Sequence, residues 1–539
     1  MNVVDIPNAF FQHDAQSKFD PDVHIDPGFT IDKFISQEGV NTLIEGIRGT
    51  GKTHILKMIS TKLLQEFDDL RVLPVYISMA EVSEFVSKED SLFRMHLYST
   101  LILQTIETIK GNKDSIYKTH DSNFIKKVTR QIAELFKLKE TEDIDDLIYT
   151  IENYAKELHT HVLQNPAKIE ELIRTTGEFG GGFKSPYFNA EGKYGEEESR
   201  NVEYLTVKLS HLNASQFLTT FYKYLRELFN LKHTVLLVDE CSDLPKEAQT
   251  EIFRFFKLVR GGTRVDNTHN FLYFIGGVYP PQATEYPSKI HGGPFDFEPG
   301  DDCSLEYLEL DTQVSFYEDF FKNLFLKKME KFKPELSTNI LNFFEDERAF
   351  FLAAYSAHGL PRRFFEISHQ SYENLKEFVS SKDKEESKQY KIRYNDVSIA
   401  IDKITSSNML ARGKMTAENF DTLEKITAAL KRRNKKVETE SATKENYVPI
   451  NFYFTCPRSK EDLLGNLIAK GIVHNQARTR SLKYSPDSES GKGLVMMIDL
   501  AVAFSEGAIP TKTKALDYFQ KDTKLSARRG YEFCQTISF

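Results

Sequence analysis

Tryptophan is absent from the 539 residues, and cysteine occurs only four times, at Cys241, Cys303, Cys456 and Cys534. The four are far apart and none belongs to a C-x-x-C pair. This excludes a zinc ribbon or a disulfide framework and fits a reducing compartment. No stretch approaches the ~20 successive apolar residues of a membrane-spanning helix. The opening MNVVDIPNAFFQHD has no basic segment running into an apolar one, so no signal peptide is expected. A soluble cytoplasmic protein with no membrane partner is the expectation. What is plentiful is apolar surface: 40% of residues are hydrophobic and 42 are Phe, read as core filler. That composition excludes wholesale disorder, and the length suggests three or four domains at ~150 residues each.

Charge is unevenly spread. From Ser407 to Phe539 there are 22 Lys and Arg against 15 Asp and Glu, a balance of +7, which leaves −16 for the rest of a chain whose total is −9. An acidic body with a basic tail puts any polyanion contact at the C-terminal end.

The densest local signal is Gly46-Ile47-Arg48-Gly49-Thr50-Gly51-Lys52-Thr53, which satisfies G-x-x-x-x-G-K-[ST] at every fixed position. Val40 to Glu45 before it reads as a short buried strand. His54 onward reads as a helix with an apolar face at Ile55, Leu56, Ile59 and Leu63. Glycines let successive backbone N–H groups converge on one anion, and the helix N-terminus adds free donors and the positive end of its dipole. The expectation is a nucleotide phosphate site formed by Gly46 to His54. Lys52 would reach the β- and γ-phosphates of ATP, and the Thr53 hydroxyl would ligate Mg²⁺. His233 to Glu240 (HTVLLVDE) is an apolar, β-branched run ending in two acids. It is expected to be a central parallel strand delivering Asp239 to the magnesium shell and Glu240 as general base.

The pair GIRGTGKT and VLLVDE resembles the AAA+ class of P-loop ATPases. Phe271 to Val278 reads as the next core strand. In that class its end carries a polar sensor 1, but here it runs into Gly276, Gly277, Val278 and Tyr279, a departure that leaves sensor 1 unassigned. His358-Gly359-Leu360-Pro361-Arg362-Arg363 is similar to the G-x-P-R sensor 2 of ORC/Cdc6-like ATPases. The resemblance implies that Arg362 reaches the γ-phosphate from a helical lid, with Arg363 the adjacent alternative. It also implies an arginine donated by a neighbouring subunit, for which Arg254, Arg260 and Arg264 lie in the right region.

The expected architecture is α/β: a lead-in (1–35), a P-loop AAA+ core with a parallel sheet (36–312), a helical lid (313–405) and a winged-helix-like C-terminal domain (406–539). The core carries a helical insertion and flexible loop at about 85–215, including Gly180 to Gly182. In the C-terminal part, a helix over 417–430 leads into a basic cluster. Arg458 to Val473 reads as a second helix, followed by strands near 478–484 and 493–500. Candidate DNA contacts are Lys431, Arg432, Arg433, Lys435, Lys436, Arg478 and Arg480, although Glu461 and Asp462 in the second helix oppose DNA. The expected function is an ATP-hydrolysing protein whose nucleotide-dependent homo-oligomeric assembly acts on DNA. The alternative is a STAND-type signalling ATPase that controls a separate effector protein, as in bacterial antiviral defence. A third reading is a scaffold that binds ATP and hardly turns it over.

Overall fold

Short apolar runs form five strands, β1 (Thr42–Glu45), β2 (Val72–Ser78), β3 (His233–Asp239), β4 (Leu272–Val278) and β5 (Ser304–Tyr307). They belong to a computed structural model that describes residues 6–12, 19–28, 30–35, 38–83, 90–117, 122–139, 141–164, 204–210, 214–262, 270–380, 390–411, 413–441, 452–482, 491–524 and 535–537. The strands pair in the order β2-β3-β4-β1-β5, every pair parallel. β3 is buried along its whole length, as an apolar run with no alternation requires of a central strand. β5 alternates and lies at the edge. With β4 on one side of β1 and β5 on the other, the C-terminal ends of β1, β3 and β4 open onto one crevice, the place where sheets of this kind bind ligands.

One face of the sheet is covered by α1 (Lys52–Gln65), which buries Ile55, Leu56, Ile59 and Leu63 against Ile44, Val235 and Ile275. On the other side lie α2 (Asp90–Gly111), α3 (Ser122–Phe136), α4 (Ile144–Gln164), α5 (Ala214–Leu228) and α6 (Lys246–Gly262); α2, α5 and α6 pack on the strands, and α3 and α4 pack outside them on α5 and α2. Their buried residues form one cluster with Leu43, Val75, Leu236 and Phe274. The described helices of the region expected as a helical insertion share the sheet's core. The buried Arg94–Glu251 ion pair (3.0 Å) ties α2 to α6. Gly180 to Gly182 lie outside the described residues.

The lid consists of α7 (Tyr317–Phe332), α8 (Glu347–Ser356), α9 (Pro361–Ser380) and α10 (Tyr394–Ile404). The Asp346 carboxylate caps α8 by accepting from the Ala349 amide at 2.8 Å. His358 and Gly359 turn the chain sharply between α8 and α9, with φ of +50° and +75°. A Cβ on Gly359 would lie 2.2 Å from the Leu310 carbonyl, so only glycine fits. The lead-in inserts Phe10 among Phe325, Phe332 and Phe365 of the lid.

Further on, α11 (Ala417–Ser441) carries the basic cluster. A second sheet contains β6 (Tyr453–Pro457), β7 (Val473–Ser481), β8 (Lys492–Ile498) and β9 (Gln535–Thr536), in the order β7-β8-β6-β9. β7 and β8 are the expected strand pair; β6 is additional. The helix expected over Arg458 to Val473 is instead a 3₁₀ run, Arg458–Leu464, and a single turn, α12 (Gly465–Ala469). Gly465 packs its Cα against the Gln282 carbonyl, where a Cβ would come within 2.4 Å. α13 (Leu500–Ser505) and α14 (Ala515–Lys524) follow. Ile6, Phe10, Phe11 and Val23 of the lead-in form one continuous apolar cluster with the buried residues of the lid and second sheet, while Ile31 packs with α1 and the parallel sheet.

Candidate nucleotide site

β1 delivers the chain into the glycine loop, where Gly49 and Gly51 take φ of +96° and +100°. Gly51 caps α1, leaving the helix's first amides free to donate. Lys52 is buried. Its Nζ donates to the Gly46 carbonyl and, at 3.1 Å, to that of Ile47, and it lies 4.5 Å above the Tyr279 ring. Burial pulls its pKa down to about 8, and the charge of Asp239 opposes that fall.

Asp239 ends β3 at 1% exposure. Its Oδ1 accepts from the Glu240 amide at 2.9 Å and its Oδ2 from the Tyr76 hydroxyl at 3.0 Å, and the Thr53 side chain is a further hydrogen-bond partner. Burial raises its pKa, and the Thr53 bond partly offsets this. A buried carboxylate touching a threonine hydroxyl offers oxygen ligands of the kind that suit a small hard cation. Glu240 takes φ of +60°, a left-handed backbone uncommon for a side chain of its length. Its Oε2 accepts from the Ser78 hydroxyl at 2.7 Å. Strained backbone of this kind is held where surrounding contacts over-determine it.

At the end of β4, Gly277 passes so close to Asp239 that a Cβ would sit 3.1 Å from Oδ1. The position after the strand belongs to Tyr279. Its hydroxyl donates to both Asp243 oxygens (2.8 and 3.0 Å) and its amide donates to Ser242 Oγ at 2.8 Å. Tyr76, Ser78, Ser242, Asp243 and Tyr279 were all missed in the sequence. The one available signal was a polar hydroxyl in or after an otherwise apolar strand.

From the lid, Arg362 in the first turn of α9 packs its Cβ 3.4 Å from where a Cβ on Gly49 would lie. A cavity of about 860 Å³ is lined by Arg48 to Ile55, Asp239, Glu240, Asp243, Tyr279 and Arg362, and on its apolar side by Phe11, Val23, Ile25 and Phe320. Gly46 and Ile47 do not line it; their carbonyls accept from Lys52 Nζ. His54 also faces it, stacked on His24 with its Nε2 3.2 Å from His24 Nδ1. Burial drops its pKa to about 4, so it is neutral at pH 7.

The remaining expected residues do not converge here. Arg363 points away from the cavity into an ion pair with Asp499, which removes it as an alternative to Arg362. Arg254 is paired with Glu251 and Arg260 with Asp302 within the chain. Neither is free to be donated to a neighbour without breaking that pair. Arg264 lies outside the described residues. On α11, Lys431, Arg432, Lys435 and Lys436 are exposed and Arg433 is half-buried, while on β7 Arg478 is exposed and Arg480 half-buried. Arg478 lies within electrostatic reach of Asp311. Glu461 accepts from Gln282 Nε2 at 2.6 Å, so this carboxylate is engaged with the P-loop core.

A family model described as ORC-CDC6-like matches residues 22–460. Two solved structures from Aeropyrum pernix align over 90% of this chain: the ORC1 protein in complex with DNA (12% identity, 91% of that chain, TM-score 0.29) and the ORC2 protein in ADPNP–ADP complexes (9% identity, 88% of that chain, TM-score 0.34). No curated protein matches. Among the described residues, no helix is long and apolar enough to cross a membrane.

Proposed function

Since this chain belongs to the ORC-CDC6-like family, we propose that it is an ATP-hydrolysing, DNA-associated AAA+ switch. One observation carries the reading: Lys52, Thr53, Asp239, Glu240 and Arg362 line a single cavity between core and lid. In this reading the amides of residues 49–53 and the Lys52 ammonium hold the β- and γ-phosphates of ATP. Thr53 and Asp239 hold Mg²⁺, which supplies charge neutralisation at the phosphates when bound. Glu240, aimed by Ser78, takes the proton of the attacking water. Arg362 senses the γ-phosphate from the lid, and the apolar wall from the lead-in and α7 takes the base. The exposed cations of α11, with Arg478, supply phosphate contacts to DNA. Nucleotide-dependent assembly of copies of the chain completes the proposal.

Calorimetry with MgATP on the full chain and on Lys52→Ala tests it. Saturable binding that the substitution abolishes, together with duplex-DNA affinity that drops steeply with salt, is the expected result. A chain that ignores ATP would end this reading. Nucleotide-driven oligomers indifferent to DNA would favour a signalling switch acting on a separate effector.

A further inference from the structure

The turn that presents Arg362 is also fastened to the C-terminal segment, by a buried charge cluster that phosphate binding does not use. Arg363 lies ~100° further round the same helix. Its Nη1 pairs with Asp499 and its Nη2 donates to the Gly471 carbonyl at 3.2 Å. Asp499 Oδ2 also accepts from His474 Nε2 at 3.1 Å, while its Oδ1 caps α13 through the Ala501 and Val502 amides at 2.9 and 3.2 Å. His474 Nδ1 donates to Glu309, just beyond β5. With both nitrogens donating to carboxylates, His474 is an imidazolium. His358 stacks on it at 3.6 Å between ring centroids, and its Nδ1 accepts the Leu500 amide at 3.1 Å. His474 and Asp499 have no exposed surface. Two cations, Arg363 and His474, therefore face two anions, Asp499 and Glu309, and removal of one member strands a buried charge.

We propose that Arg363, Asp499, His474 and Glu309 form a latch that couples nucleotide occupancy at Arg362 to the position of the C-terminal segment. The latch rests on the reading that ATP binds between core and lid. Arg362 and Arg363 occupy one helical turn, so a rotation of α9 that carries Arg362 toward a phosphate moves Arg363 against Asp499. The same segment abuts the glycine loop, because a Cβ on Gly471 would lie 2.8 Å from Ile47 Cδ1. Displacement continues to the basic helix α11, which is joined to the segment by Asn434 donating to the Ala508 carbonyl (2.8 Å) and by Asn466 donating to Asn419 (2.8 Å). Ligand atoms of Glu309, His358 and His474 lie within 4.8 Å of one another, close enough for a metal ion. However, both His474 nitrogens are already bonded to carboxylates and a guanidinium occupies Asp499, so the cluster is neutralised without one.

Hydrogen exchange of the full chain, with ADP or a non-hydrolysable ATP analogue, tests the latch, with binding of each nucleotide measured in parallel. In the wild type, peptides covering 465–482 and 499–509 are expected to exchange about tenfold differently in the two states, within the usual span of a coupling free energy. The charge-balanced His474→Gln/Asp499→Asn variant, which keeps an α13 cap, is expected to lose that difference while still binding ATP. If it does not fold, Glu309→Gln, at the half-exposed end of the cluster, is expected to reduce the difference. ATP binding without any difference in exchange in the wild type overturns the latch, as does a difference that survives in the folded variants. Stoichiometric zinc in the purified protein also overturns it, since His474 would then be a ligand. Absence of ATP binding in the wild type sinks the nucleotide reading itself, and the latch with it.

Discussion

Raising the pH from 6 to 9.5 should weaken the folded chain through His474. Burial alone would depress its pKa, but Glu309 and Asp499 hold it up, from an ordinary 6.5 to about 9. Between those two values the folded chain keeps a proton that the unfolded chain has released, so stability falls as pH rises. The contribution is whole below about pH 6.5 and gone above about pH 9. Its size is on the order of 3 kcal/mol, from the span between the two pKa values at 1.36 kcal/mol each. That is a large part of the ~5–15 kcal/mol by which domains are usually stable. Other groups titrate nearby, among them His54 and His358, which burial keeps neutral in the folded chain and which therefore add stability as the pH rises through their ordinary 6.5. Glu45, raised by burial to about 7, acts with the same sign as His474, and its contribution is lost as the pH rises from 4.5 through that value. Lys52, lowered by burial to about 8, acts with the opposite sign, adding stability from there to its ordinary 10.5. The diagnostic quantity is therefore the gap between wild type and His474→Gln. Urea titrations followed by far-UV circular dichroism should show that gap at pH 6 and its closure by pH 9.5. A gap that stays constant across the range, or widens, refutes the reasoning.

Three further outcomes are expected. Glu240→Gln should slow ATP hydrolysis by ~10²–10⁴, the span of a lost general base, while nucleotide affinity is retained; phosphate release and equilibrium binding check the two parts. Gly359→Ala should cost more than ~2 kcal/mol, because both the positive φ and the Leu310 carbonyl oppose a Cβ, and a thermal-shift scan reads it directly. Neutralising Lys431, Arg432, Lys435 and Lys436 together should weaken duplex binding and flatten the plot of log affinity against log salt by about 3 to 4, near 0.9 for each phosphate that is no longer neutralised.

Local chemistry alone marked the main parts of the proposed nucleotide site. A glycine loop needs its residues in fixed succession, and a short, β-branched apolar run with no alternation fits a central parallel strand. Gly46 to Thr53, Asp239 and Glu240 were therefore legible before any coordinates, as was the edge strand at Ser304. The sequence motif also singled out Arg362, but only the packing of α9 showed that Arg362 and Arg363, one residue apart, serve different surroundings. Tyr76, Ser78 and Tyr279 were not legible, because their roles depend on which strands the parallel register sets side by side. The helices of residues 90–164 were legible as helices, but sequence distance says nothing of which sheet face they pack against. The expected second helix of the C-terminal part became a 3₁₀ run and one turn where it meets the Gln282 loop, a contact that overrides its local propensity. The pairing of His474 with Glu309 and Asp499 joins residues 165 and 25 positions apart, and no local pattern encodes it. Spacing along the chain marked the proposed phosphate site, and the burial of opposite charges from distant segments decided what packs beside it.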